Sequence, residues 1–86
     1  MIKRKNYINY FCNNVDEEEL PAYVNEAIFD FIELFDMNET EIYKEYGFNE
    51  CSNDYVLRKV LKKMLKKLSE INDDMVYKNY HQNYFG

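Results

Sequence analysis

Glycine and proline are almost missing from this chain of 86 residues, which has only two glycines and one proline. A loop that cradles phosphate through its backbone needs several glycines at fixed spacing, so nucleotide-binding motifs of that kind are excluded. A barrel or sandwich of short strands needs a turn signal about every 8–12 residues. Gly47, Gly86 and Pro21 cannot supply those turns, and a turn-rich all-β fold is therefore not expected.

Metal-binding and nucleophilic side chains are also scarce. Cys12, Cys51 and His81 are the only cysteine and histidine residues, which is too few for a zinc site or a catalytic cysteine with a histidine base. A secreted domain of this length usually carries more cysteines, so two free thiols in a reducing cytoplasm are expected rather than a disulfide. We therefore predict no catalytic residues, no metal and no cofactor, and a protein that is not an enzyme.

Long apolar runs are absent as well. No apolar stretch follows the basic residues at the start of the chain, as a secretion signal would require, and no segment approaches the length of a membrane span. These two features predict a cytoplasmic protein that does not enter a membrane.

Acidic and basic residues are present in number but occupy separate blocks. Residues 16–54 contain thirteen acids and a single base, Lys44, whereas residues 55–68 contain six bases and no acid. Blocks of this kind either face each other within the fold or face partners of opposite charge. The net charge of −5 therefore hides two strongly charged surfaces.

Apolar residues recur at helical spacing along almost the whole chain. The predicted fold class is all-α, a compact bundle of four to five short helices that forms a single domain over residues 1–86. Helices are predicted over residues 3–14, over residues 20–36, between Asn38 and Gly47, from a cap at Ser52 or Asn53 to Asn72, and, as a short fifth helix capped by Asp73 or as an aromatic tail, within residues 73–86.

The helix over residues 20–36 is apolar almost all round, because only Glu26, Asp30 and Glu33 interrupt it. A helix of that kind has to be covered on several sides, so we place it at the centre of the bundle. The predicted core contains Ile8, Phe11, Val24, Ile28, Phe31, Phe35, Ile42, Val60, Leu61, Met64 and Leu68.

The acidic block gives the leading functional hypothesis, a non-enzymatic protein that inhibits a partner by occluding its basic, nucleic-acid-binding surface. Carboxylates would meet the partner's arginines and lysines, and tyrosines would anchor the centre of the contact. The predicted contact residues are Glu26, Asp30, Glu33, Glu39, Glu41, Glu45, Tyr43 and Tyr46. In size and charge the chain resembles immunity proteins of nuclease toxins and phage anti-defence inhibitors. The alternative for the same residues is a solvated face that keeps a small domain soluble.

Two further hypotheses use other parts of the chain. The short helix, Gly47 and the basic helix over residues 54–71 resemble a helix-turn-helix, whose nucleic-acid-binding residues would be Arg58, Lys59, Lys62, Lys63 and Lys66. Direct nucleic-acid binding is less favoured, because a DNA-binding domain is usually basic and this chain has a pI near 4.8. The third hypothesis is a homodimer formed through the aromatic tail that contains Tyr77, Tyr80 and Tyr84.

Overall fold

A computed structural model describes residues 7–48 and 53–80 of the chain, and these residues form four helices and no strand. The helices are α1 (Tyr7–Asn14), α2 (Leu20–Phe35), α3 (Glu39–Tyr46) and α4 (Asp54–Tyr80). The predicted all-α fold is confirmed. Several predictions concern residues outside the described ranges, namely helical residues 3–6, Cys51, Ser52, His81 and the tail over 81–86.

Capping residues set both ends of α3, as the sequence predicts. The Glu41 backbone N–H donates to Asn38 Oδ1 (2.9 Å), and the Glu41 carboxylate accepts a bond from the Asn38 N–H (3.5 Å), which completes a capping box. Gly47 then ends the helix with φ of 72°, a left-handed conformation that favours glycine. Phe48 folds back on Tyr43, with ring centroids 5.4 Å apart.

The longest helix, α4, begins at a predicted cap and is interrupted where the sequence predicts an end. Asn53 Oδ1 accepts from the Val56 N–H (2.9 Å) at its start. Asn72 is non-helical, with φ of −149° and ψ of 84°, and its Oδ1 accepts from the Met75 N–H (3.1 Å). A short helical segment over residues 73–80 follows the kink, as predicted, and its cap is Asn72 rather than Asp73.

The helices enclose one apolar cluster. α4 packs against both α1 and α2, and α3 packs against α2, so the two longest helices lie in the middle of the assembly. Every predicted core residue is buried except Phe35, which is partly buried against the cluster. The cluster also contains residues outside the predicted core: Tyr7, Cys12, Val15, Leu20, Ala27, Leu65, Val76 and Tyr80.

One face of α2 remains open to solvent. Phe29 is 62% exposed and Leu34 is 43% exposed, so the prediction that α2 is covered nearly all round is wrong at these positions. For Phe29 the reason lies in the packing partners, because the buried residues Val24, Ala27 and Phe31 lie about 140–160° away from it around the helix. The α2 helix therefore exposes two large apolar side chains, Phe29 on the side away from the core and Leu34 near its C-terminal end.

Candidate functional site

Three carboxylates form a line on the outer side of α2. Glu26, Asp30 and Glu33 follow one another at separations of four and three residues, which places them on one stripe of the helix. Phe29 and Leu34 lie on either side of that stripe. We call these five residues the α2 acidic face; it combines negative charge with exposed apolar area.

Asp30 also has a partner inside the fold. The Tyr80 hydroxyl donates to Asp30 Oδ2 (3.3 Å), and the Tyr80 ring is fully buried beside Phe11 and Tyr23. Burial raises the pKa of the Asp30 carboxyl above its usual value; the Tyr80 hydrogen bond acts in the opposite direction, while Glu26 and Glu33 raise the pKa further. Burial and the nearby Asp30 charge raise the pKa of the Tyr80 hydroxyl. Asp30 thus joins the acidic face to the core.

Most of the candidate residues on α3 have hydrogen-bond or packing partners within the fold. Glu41 belongs to the capping box, and Glu39 accepts a hydrogen bond from the Tyr43 hydroxyl (2.7 Å), which raises the pKa of that hydroxyl because the bond favours its neutral form. Tyr46 packs edge-on against Phe31 of α2, with ring centroids 5.4 Å apart. Glu45 is exposed.

The acidic stripe of α2 faces away from α3. Ile28 and Tyr43 line the same cleft, so the Ile28 side of α2 faces α3. Successive residues of an α-helix are about 100° apart, which places Ile28 about 160° away from Glu26 and about 140° away from Glu33. Glu26 and Glu33 therefore lie on the side of α2 opposite α3.

Two of the basic residues on α4 form hydrogen bonds with the C-terminal end of α1. Arg58 donates from Nη1 to the Cys12 carbonyl (3.0 Å) and from Nε to Asp54 Oδ2 (2.7 Å). Lys62 donates from Nζ to Asn13 Oδ1 (3.2 Å). Both cations lie at the C-terminal end of α1, where the helix dipole favours positive charge. Of the predicted nucleic-acid-binding residues, these two therefore have a structural role.

The other three, Lys59, Lys63 and Lys66, are exposed along the outer side of α4, and we call them the α4 basic row. Lys59 lies over the ring of Tyr55, with its Nζ 4.9 Å from the ring centroid. Beside the row, a cleft of about 470 Å³ opens between α4 and the end of α3, lined by Tyr46, Gly47, Tyr55, Val56, Lys59, Val60 and Lys63. The row points away from α2, because Leu57 of α4 lines a cleft with Val24 and Ile28 of α2 and lies about 120–180° from the row around the helix.

The charged surfaces do not neutralise each other within the described part of the chain. Two ion pairs occur there, Arg58–Asp54 (2.7 Å) and Lys67–Glu70 (3.9 Å), and both lie within α4. No described ion pair joins a base of α4 to an acid of α2 or α3. Among the described residues, Glu26 and Glu33 on α2 and the three lysines of the basic row are exposed and do not pair with each other.

Other chemistry has little support among the described residues. Burial raises the pKa of the Cys12 thiol to about 12, which keeps it protonated and unreactive. No group of three or more histidine, cysteine or acidic residues could hold a metal ion within residues 7–48 and 53–80. No helix in those ranges is long and apolar enough to cross a membrane.

The part of the predicted tail that is described packs inward. Tyr80 is buried, and Tyr77 is partly buried with its ring 4.9 Å from that of Tyr7. Tyr84 lies outside the described residues. These two tyrosines therefore contribute to the fold instead of forming an exposed aromatic surface.

No protein-family model, curated protein or solved structure matches this chain. The charged surfaces are accordingly the features of this molecule that bear on its function. Sequence reasoning found the three acids of α2 but missed Phe29 as an exposed residue. The signal for Phe29 is its position three residues after Glu26 and four before Glu33, which places it within about 60° of both around the helix.

Proposed function

We propose that the protein is a non-enzymatic interaction module that binds a basic surface of a partner protein through the α2 acidic face. The observation that carries this proposal is the exposure of Glu26 and Glu33 beside Phe29, without a described cation to balance them. Carboxylates would steer the encounter and fix its orientation, and the apolar side chains would supply contact area.

The partner class that fits best is a nucleic-acid enzyme or nuclease whose phosphate-binding surface becomes occluded. Such a surface presents arginines and lysines positioned for regularly spaced phosphates. A row of three carboxylates can occupy those cations in place of phosphate. The predicted contact residues on α3 have a lesser part in this proposal, because α3 packs on the side of α2 opposite Glu26 and Glu33 and most of these residues have partners within the fold. They are Glu39, Glu41, Glu45, Tyr43 and Tyr46.

The test begins with capture of the partner from cells of the native source, followed by titration of the purified pair. Replacing both exposed glutamates (Glu26→Gln with Glu33→Gln) should weaken binding at least about tenfold and reduce the salt dependence of the affinity. Nucleic acid should compete with the protein for the partner. The matched control is Glu17→Gln with Glu18→Gln, which removes the same charge from an exposed turn outside α2 and should change the affinity little.

Two results would overturn the proposal. The first is an unchanged affinity and salt slope in the Glu26→Gln, Glu33→Gln variant. The second is a captured ligand that is nucleic acid and that Lys59→Gln with Lys63→Gln releases, because the basic row would then be the binding surface.

A further inference from the structure

The α2 acidic face and the α4 basic row have the same spacing. The acids Glu26, Asp30 and Glu33 and the bases Lys59, Lys63 and Lys66 are both separated by four and then three residues. At about 1.5 Å of rise per residue, each set covers about 6 Å and then 4.5 Å along its helix. Two such helices packed in parallel would place Glu26 opposite Lys59 and Glu33 opposite Lys66, with the half-buried Asp30 level with Lys63.

An apolar contact accompanies this charge match. In the parallel alignment, Phe29 lies on the same side of the interface as Val56 and Val60. Phe29 is about 50–100° from the acidic stripe around α2, and the two valines are about 50–100° from the basic row around α4, toward that same side. Those two valines line the cleft of about 470 Å³ next to the basic row. Phe29 is 62% exposed and aligns with the C-terminal part of this cleft, which can receive its ring.

The two surfaces cannot meet within one molecule. The basic row points away from α2, and no described ion pair joins α4 to the acids of α2. Pairing of like faces, α2 with α2 or α4 with α4, would bring charges of one sign together and is disfavoured. A second copy of the chain therefore supplies the matching surface only through a head-to-tail contact.

We propose that the protein self-associates by docking the α4 basic row and its adjacent cleft on the α2 acidic face of another copy. The contact is heterologous, so each molecule keeps one free acidic face and one free basic row until a ring closes. Exposed ion pairs contribute little individually and are screened by salt, so the association is weak and salt-sensitive. A basic partner at the α2 acidic face would compete with it.

Sedimentation equilibrium of the full chain tests the proposal, at up to about 1 mM protein and at about 0.01 M and 1 M salt. At low salt the average mass should rise with concentration from the 10.6 kDa of one chain to twice that value or more, and at high salt it should stay at one chain. Glu26→Lys with Glu33→Lys should be monomeric, and so should Lys59→Glu with Lys63→Glu. An equimolar mixture of the two variants should regain the wild-type mass, because each reversed face then meets a complementary one.

Controls separate this contact from general effects of charge and folding. Glu17→Lys with Glu18→Lys makes the same change in net charge outside the interface and should still associate. Phe29→Ala should weaken association about tenfold, whereas Ile71→Ala, at another exposed apolar position (53%), should not. Circular dichroism confirms that each variant is folded.

Three outcomes would overturn the inference. A wild-type chain that stays monomeric at low salt would do so, as would continued association of either charge-reversed variant alone. A mixture that fails to associate although both variants are folded would also contradict it. None of these results bears on the titration with a foreign basic partner, so the proposed function stands or falls separately.

Discussion

A hydrogen bond between a tyrosine hydroxyl and a carboxylate occurs at each end of the bundle, but in different surroundings. At the end formed by α1 and residues 73–80, the Tyr80 hydroxyl donates to Asp30 across 50 positions of sequence (3.3 Å). At the α3 end, the Tyr43 hydroxyl donates to Glu39 one turn away (2.7 Å). Tyr80 is fully buried, whereas the hydroxyl of Tyr43 is at the surface. The shorter hydrogen bond is therefore the one that matters less to the fold.

The difference shows that burial decides what a tyrosine contributes. Around Tyr80, the rings of Phe11 and Tyr23 lie 5.7 and 5.9 Å from its own, and this aromatic cluster joins α1, α2 and α4. The α3 end instead depends on helix-capping interactions, namely the capping box at Asn38 and the left-handed conformation of Gly47. We expect the end that contains Tyr80 to be stabilised mainly by buried area and the α3 end mainly by its caps.

The largest expected effect is that of removing the buried ring. Tyr80→Ala should lower the free energy of unfolding by about 3–5 kcal/mol, because it leaves a cavity among three helices. The corresponding fall in Tm is about 15 °C or more for a domain of this size. Tyr43→Ala should cost clearly less, and chemical denaturation of the two variants measures the difference.

If Tyr80→Ala and Tyr43→Ala lower the free energy of unfolding equally, the difference described between the two ends is wrong. If Tyr80→Ala does not fold, Tyr80→Leu keeps most of the buried volume and should fold with a smaller loss. A Tyr80→Leu variant as stable as the wild type would also contradict the structural role given to this ring.

Loss of a cap should have the next largest effect. Asn38→Ala and Asn72→Ala should each cost about 1 kcal/mol, since each removes a side chain that accepts a helical N–H. Hydrogen exchange should locate the two losses at different ends, with faster exchange in the first turn of α3 for Asn38→Ala and after the kink for Asn72→Ala. Faster exchange spread evenly over both regions would mean that the two ends are not independent.

A substitution at Gly47 tests the other cap of α3. Its φ of 72° is unfavourable for a residue with a Cβ atom, although a Cβ there would meet nothing within 4 Å. Gly47→Ala should therefore cost about 1 kcal/mol through backbone strain alone. Gly47→Asn should cost less, because asparagine tolerates this conformation better. Equal losses for both variants would point to a steric cause instead.

The smallest expected effect is the pH dependence contributed by Asp30. Burial raises its pKa in the folded state, so the charged carboxylate disfavours folding. The stability of the wild type relative to Asp30→Asn should therefore rise as the pH falls from neutral through the raised pKa. Tyr80→Phe should raise the pKa of Asp30 further, because the lost hydrogen bond favoured the charged form. Titration of the Asp30 carboxyl by NMR measures both effects, and a lower pKa in Tyr80→Phe would contradict the assignment.

Local signals in the sequence were sufficient for most of the fold. The Asn38–Glu41 box, Gly47 and the interruption at Asn72 are predicted correctly, and Asn53 is one of the two caps predicted for α4, since each depends on hydrogen bonds within a few residues of chain. The exposure of Phe29 was not predicted, because it depends on which side of α2 the other helices occupy. The contacts of Arg58 and Lys62 with α1 were missed for the same reason, since their acceptors on that helix lie 46 and 49 positions away.

The sequence by itself determined the helices, their ends and the separation of charge into acidic and basic blocks, because periodicity, capping and composition are local properties of the chain. Only the tertiary structure decided which charges stay free. Packing turned Arg58 and Lys62 toward the end of α1, Asp30 toward Tyr80, and Glu26, Glu33 and Phe29 outward. The physical reason is that the availability of a charged group depends on its neighbours in space, and helices distant in the sequence supply those neighbours.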